Sequence, residues 1–232
     1  MPLLTPLIDR VDADLVRSAV VYMVALILSI TVHEFGHARV ADYLGDRLPR
    51  SQGRVTLNPM SHIDLWGTVL FPLMMFVSTA MGVPLRLLGW GKPVQISMGK
   101  SGRYRHGLSA RAAHFLVALA GPAMNLVFGL VVSVAFVISL KLHALSVAEV
   151  MSHFIMMNIG LALFNLLPMP PLDGGALLTT ILGFDHPISV FLNRYGFILF
   201  FGLLMTGLLM VIMAPAGWVA QWWLFHLQIL AL

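Results

Sequence analysis

Six apolar stretches, at about 16–38, 65–83, 112–140, 147–168, 195–213 and 217–232, take up most of a chain of 232 residues. Roughly 20 apolar residues suffice to cross a bilayer as a helix, and the first, third, fourth and fifth stretches qualify well. The second is interrupted by Pro72 and ends in Gly82-Val83-Pro84. The last is short and carries Trp218, Trp222 and Trp223, residues that favour the membrane–water interface. It reads as an interfacial helix or a marginal final span. Charged residues make up 10% of the chain, against roughly 25% in a soluble domain, which excludes a water-soluble globule. The sequence predicts an all-α polytopic membrane protein with about five to six membrane segments. A single membrane-embedded domain over 1–232 is expected, its core at about 16–185 and C-terminal helices at about 188–232. No cleavable leader is expected, because Asp9, Asp12 and Asp14 spoil a basic leader segment.

A net charge of +4 could suit nucleic acid, but the basic residues flank apolar segments and so bear on topology instead. The expected partner is the lipid bilayer, with no nucleic acid. Ten of the fourteen Lys and Arg lie in two loops, Arg39, Arg47, Arg50 and Arg54 in one and Arg86, Lys92, Lys100, Arg103, Arg105 and Arg111 in the other. If 65–83 crossed the bilayer, these loops would face opposite sides and the bias would nearly vanish. If it enters and returns on one side, all ten are cytoplasmic, as the positive-inside preference favours. The stretch is therefore read as re-entrant. Within the loops, 53–57 and 92–97 are β-prone and bounded by Gly or Pro, and are expected to form short membrane-associated strands.

The first apolar run ends in His33-Glu34-Phe35-Gly36-His37. On a helix, H-E-x-x-H sets both imidazoles on one face, four residues apart, where they can grip a zinc ion with the glutamate beside them. Ionisable groups within a membrane helix are costly, and they mark functional sites by default. A catalytic zinc site takes three protein ligands and keeps one open position. The chain has no cysteine, so the third ligand must be His or a carboxylate.

Among ten acidic residues, Asp9, Asp12 and Asp14 precede the first span, and Asp42, Asp46, Asp64 and Asp185 sit in or beside connections. Glu149 begins a span, where a helix N-terminus favours an acid. Asp173 remains, in Asn165-Leu-Leu-Pro-Met-Pro-Pro-Leu-Asp173-Gly174-Gly175. Three prolines prevent helical continuation there, so the backbone is expected to run extended, and the glycines permit a sharp turn or a close approach. Non-helical backbone at membrane depth survives only where protein or a wet cavity satisfies it. His33, His37 and Asp173 can meet only if their two spans run parallel, which again requires that 65–83 not traverse.

Together these residues resemble the site-2 protease family of intramembrane zinc metalloproteases, in its compact bacterial branch without PDZ or CBS domains. Matching elements are His33-Glu34-Phe35-Gly36-His37, Ala120-Gly121-Pro122 with Asn125, and the Asn165 to Asp173-Gly174-Gly175 segment. Gly53 to Asp64 and Gly89-Trp90-Gly91-Lys92-Pro93-Val94 match as well. The resemblance covers roughly 29–185. It implies hydrolysis of peptide bonds within or near transmembrane segments of membrane-protein substrates, single-span ones foremost. It also implies a bacterial inner-membrane location, and the charge bias together with the parallel spans leads to the expectation of a site near the cytoplasmic face.

On this reading Zn²⁺ is bound by His33, His37 and Asp173, and Glu34 is the general base. By resemblance Asn165 is the first candidate for the oxyanion donor; His62 is a second, with a capping or interfacial role equally open to it. Two alternatives stand beside this. A metal or proton-coupled transporter could use the same cluster, but its path would need polar residues through several spans. A membrane peptidase of the prenyl-protein type would need a glutamate as third ligand, and Glu149 is at the wrong end of its span.

Overall fold

The computed structural model describes residues 13–82, 89–99 and 103–232. Asp9, Asp12, Pro84, Arg86 and Lys100 lie outside the described residues, and so does the end of the 65–83 stretch. Eight α-helices are found among the described residues. They are α1 (Ala13–Tyr43), α2 (Leu48–Ser51), α3 (Phe71–Ala80), α4 (Ala110–Lys141), α5 (Leu145–Asn165), α6 (Asp173–Leu182), α7 (Pro187–Met205) and α8 (Leu208–Ala231). Five of them, α1, α4, α5, α7 and α8, are long and apolar enough to cross a bilayer. The chain is an integral membrane protein.

The helices α1, α4 and α5 pack against one another, and α8 packs on α4 and α5. One apolar cluster joins Ala25, Val132, Phe136, Ile155, Ile159 and Ala220 from these four helices. A second, at the other end, joins Ala41, Leu44, Met98, Ala113 and Val117. With a rise of 1.5 Å per residue, α1 and α4 each run about 47 Å, well beyond a hydrocarbon core of about 30 Å. Their ends therefore carry side chains clear of the apolar layer. At one such end the connecting segments gather.

Three sequence expectations change. Neither 53–57 nor 92–97 is a strand; among the described residues the one β pairing is an isolated bridge between Arg103 and Ser109. Side chains, not a ladder, hold these segments: Arg54 donates to Lys92 O (2.6 Å), Pro93 O (2.8 Å) and Ser61 O. Gln52 donates to Gln95 Oε1 (2.7 Å), and Ser97 N and Oγ donate to Asp46 at 2.6 Å each. The last two apolar stretches also divide elsewhere. The helix runs through Pro215 and breaks instead at Gly207, whose φ of +73° is left-handed, so α8 has 24 residues and is of spanning length. Finally, the proline segment folds into tight turns, with Met169 N–H on Leu167 O (2.7 Å) and Leu172 N–H on Met169 O (3.0 Å). Asp173 then opens α6, where Gly174 packs onto the Leu166 and Leu167 carbonyls too closely for any side chain.

Residues 65–80 form one wide π turn, Leu65–Leu70, continuing into α3. Asp64 caps it, its Oδ1 accepting from Trp66 N (3.1 Å) and Gly67 N (2.8 Å). Sixteen residues at 1.5 Å each reach about 24 Å, short of a full crossing.

Candidate metal centre

Two helices and one turn deliver the site. His33 and His37 lie one turn apart on the buried side of α1, at 8% and 7% exposure, with Glu34 at 9%. Asp173, at the first position of α6, brings its carboxylate to them from the far side. Asp173 Oδ2 stands 3.2 Å from His33 Nε2 and 3.3 Å from His37 Nε2, and the two Nε2 atoms are 3.1 Å apart. Among the described residues these three form the group able to hold a metal ion.

The hydrogen bonds around the rings fix what those atoms offer. His37 Nδ1 lies 2.7 Å from the Val117 carbonyl of α4, which can only accept, so Nδ1 carries the proton. His33 Nδ1 lies 2.7 Å from Asn125 Oδ1. Asn125 Nδ2 donates to Ser29 O (3.0 Å) and Asn158 Oδ1 (2.9 Å), so its oxygen faces the imidazole and His33 also donates from Nδ1. With Nδ1 of each ring engaged, it is the Nε2 atoms that face each other and a carboxylate oxygen, and as metal ligands they would present their lone pairs there. Three acceptors about 3 Å apart repel unless a cation stands among them. Asp173 Oδ2, buried, has no hydrogen-bond partner, an orphan that a cation would satisfy.

The spacing is one that a zinc ion can fill. With Zn–N bonds of about 2.0–2.1 Å, tetrahedral donors lie about 3.3 Å apart, and the three observed separations are 3.1–3.3 Å. A donor on the other ring nitrogen of each ligating His orients the ring and fixes its tautomer; Val117 O and Asn125 Oδ1 are the acceptors that do so here. Gly121 leaves room for both rings. A Cβ there would lie 2.2 Å from His37 Nε2.

Glu34 is held by the segment that follows α3. Its Oε2 accepts from Val94 N at 3.0 Å. That segment runs along α1, with Gly91 against Ile30 and Lys92 N–H on His62 O (2.9 Å). His62 is 1% exposed, and its Nε2–H donates to Thr56 O (2.9 Å) while Nδ1 has no partner. Burial holds its imidazole below the ordinary pKa. Asn165 donates to Leu161 O (3.0 Å) within its own helix.

The structure thus brings His33, His37 and Asp173 together, sets Glu34 beside them, and engages Asn165 and His62 with backbone carbonyls. Sequence reading did not find Arg54, one basic residue among ten in the loops, or the Val94 amide, which has no sequence signal. Asn158 had one: an amide in the middle of an apolar span.

A buried His, His, carboxylate cluster with a neighbouring glutamate, inside a bundle of membrane-length helices, defines an integral-membrane protein equipped for a divalent cation and for hydrolysis beside it. The family model for Peptidase family M50 matches residues 21–149 and 138–207, and the chain belongs to that family. It is 33% identical over 198 residues to "Putative zinc metalloprotease YwhC" of Bacillus subtilis (strain 168), covering 80% of each chain. It is 30% identical over 153 residues to Rip2 of Mycolicibacterium smegmatis, whose name describes the same kind of enzyme, covering 65% of this chain and 53% of that one. Rip2 of Mycobacterium tuberculosis is 28% identical over 153 residues, 66% of this chain and 53% of its own. No solved structure matches.

Proposed function

We propose that this chain is an intramembrane zinc metalloprotease cutting peptide bonds within or next to transmembrane segments of membrane proteins, single-span ones foremost. The observation that carries it is the convergence of His33 Nε2, His37 Nε2 and Asp173 Oδ2 within 3.3 Å of one another. These three would hold the ion. When bound, zinc polarises the scissile carbonyl and acidifies water toward a pKa of about 7. Glu34, anchored through Oε2 by the Val94 amide, uses its other oxygen to take the proton of the attacking water and hand it to the leaving amine. Asn165 is the oxyanion donor, reached by releasing the Leu161 carbonyl. His62, buried and bonded to Thr56 O, supports the loop that carries the Glu34 clasp.

A transmembrane helix hides its peptide bonds, so the substrate unwinds before attack. Residues 93–97 pass beside Glu34 and pair with no strand among the described residues, which supports strand addition by the unwound segment. Residues 65–83 re-enter the same side. Support comes from the basic loops touching one another, Arg54 to Lys92 O and Gln52 to Gln95, as loops on a common face would. The positive-inside preference makes that face cytoplasmic, in a bacterial inner membrane. A transporter is disfavoured because Ser29, Asn125 and Asn158, buried polar groups beside the ligands, are bonded to one another.

The test pairs Glu34→Gln with Asp173→Ala. Zinc content by elemental analysis stays at the wild-type level in the first and is lost in the second. Cleavage of a model single-span substrate falls about 10²–10⁴-fold in the first, the usual loss for a general base. Unimpaired cleavage by Glu34→Gln refutes the assignment.

A further inference from the structure

We propose that Asn158 is a positioning residue of the metal centre: acting through Asn125, it fixes the acceptor that keeps the His33 Nε2 lone pair turned toward His37 and Asp173. The inference rests on the metal-site reading above. The two imidazoles are oriented by unlike partners. His37 Nδ1–H is received by Val117 O, a helix carbonyl that cannot turn. His33 Nδ1–H is received by the side-chain amide of Asn125, which can. If that amide turned over, its NH₂ group would face Nδ1, the proton would move to Nε2, and the ligand lone pair would be lost.

What prevents the turn is a directed chain of bonds through three helices. Asn158, 0% exposed in the middle of α5, donates from Nδ2 to Phe154 O (2.8 Å) and to Ser29 Oγ (2.9 Å). A helix carbonyl can only accept, so the Asn158 nitrogen is settled on that side, and Oδ1 is settled toward Asn125. Oδ1 takes one N–H of Asn125 at 2.9 Å, and Ser29 O takes the other at 3.0 Å. Asn125 is also 0% exposed, so water cannot substitute for either partner. Turning Asn125 would set its oxygen against two acceptors, one of them supplied by Asn158. An unpaired amide costs most where there is no solvent, and that is the setting of both residues.

The role separates from packing because it depends on one acceptor atom. In Asn158→Leu the side chain keeps its bulk and loses the acceptor. In Asn158→Asp the acceptor facing Asn125 is kept, while a carboxyl group, a worse guest for an apolar span than leucine, enters the helix. We would purify the full chain in detergent, load it with zinc and measure affinity by titration against a chelator, with helix content and thermal transition as folding controls. Outer partners of a ligating histidine are worth roughly 10–100-fold in metal affinity. Asn158→Leu should lose on the order of tenfold, and Asn158→Asp should recover most of it. A folded Asn158→Leu that binds zinc as the wild type does overturns the proposal, as does a folded Asn158→Asp that loses zinc. If Asn158→Leu does not fold, the aspartate variant decides alone by the same criterion. A wild-type chain that binds no zinc is a different failure, that of the metal site itself.

Discussion

Replacing Gly121 with alanine adds one methyl group whose place is dictated by the backbone of α4. That carbon would stand 2.2 Å from His37 Nε2, 2.6 Å from His37 Cε1 and 2.7 Å from His33 Cε1. Non-bonded heavy atoms settle at about 3.5 Å, so the His37 nitrogen must retreat by about 1.3 Å, more than half the length of a Zn–N bond of about 2.0 Å. The ring has no inexpensive way to yield. Swinging it aside gives up the 2.7 Å bond to Val117 O, worth about 1 kcal/mol and more in a buried setting. Moving α4 away instead pulls Asn125 from His33. Either way the ligand pair opens. Misplacements near 1 Å cost on the order of 10²-fold, and a loss of at least that size is expected in zinc affinity and in cleavage, with helix content unchanged. Gly160→Ala is the control, since a Cβ there meets nothing within 4 Å. Chelator titration and cleavage of a single-span substrate are the assays. If Gly121→Ala holds zinc as tightly as Gly160→Ala does, the placement of the imidazoles described here is refuted.

Other outcomes follow from the same geometry. Arg54→Leu removes three bonds from a charged donor, each worth about 1.5–3 kcal/mol, to the carbonyls of Ser61, Lys92 and Pro93. Amide exchange at 92–97 should accelerate and cleavage should fall while zinc stays bound; unchanged exchange there contradicts the clasp. Burial lowers the His62 pKa in the folded chain, so below the unfolded value of about 6.5 the unfolded state binds more protons and stability falls as pH drops. His62→Leu should flatten that dependence below about pH 6.5, read as the thermal transition in detergent, and equal slopes in both proteins would contradict it. The chain has no cysteine, so single cysteines at Arg50, Trp90 and His143 report topology cleanly. Labels at 50 and 90 should react from one side and 143 from the other, and opposite-side reaction at 50 and 90 removes the re-entrant reading.

Much of this protein was legible in its sequence because the bilayer leaves few options. Long apolar runs must be helices, and α1, α4 and α5 fall where hydropathy puts them. The ligand candidates were legible because imidazole and carboxylate are rare in such runs and only Asp173 stood in a setting that turns a carboxylate inward. The loops were less readable. Residues 53–57 and 92–97 have strand-like composition, yet strand formation needs a partner edge, and Arg54, Asp46 and Gln52 supply side-chain bonds in its place. The break between α7 and α8 falls at Gly207 and not in the gap between the apolar stretches 195–213 and 217–232, because hydropathy does not register a left-handed backbone position. A proline is tolerated in a membrane helix whose neighbours satisfy the freed carbonyl, whereas a left-handed residue ends the helix outright. The Ser29, Asn125, Asn158 and His33 chain is a three-helix contact, and no local pattern encodes which amides will meet.

The most direct test of the account is X-ray absorption at the zinc edge on the purified chain, with Asp173→Ala in parallel. The account predicts one zinc per chain in a first shell of two imidazole nitrogens and carboxylate or water oxygens at about 2.0–2.1 Å, and its loss from the variant. A wild-type chain without zinc, or an Asp173→Ala spectrum unchanged from wild type, would contradict it.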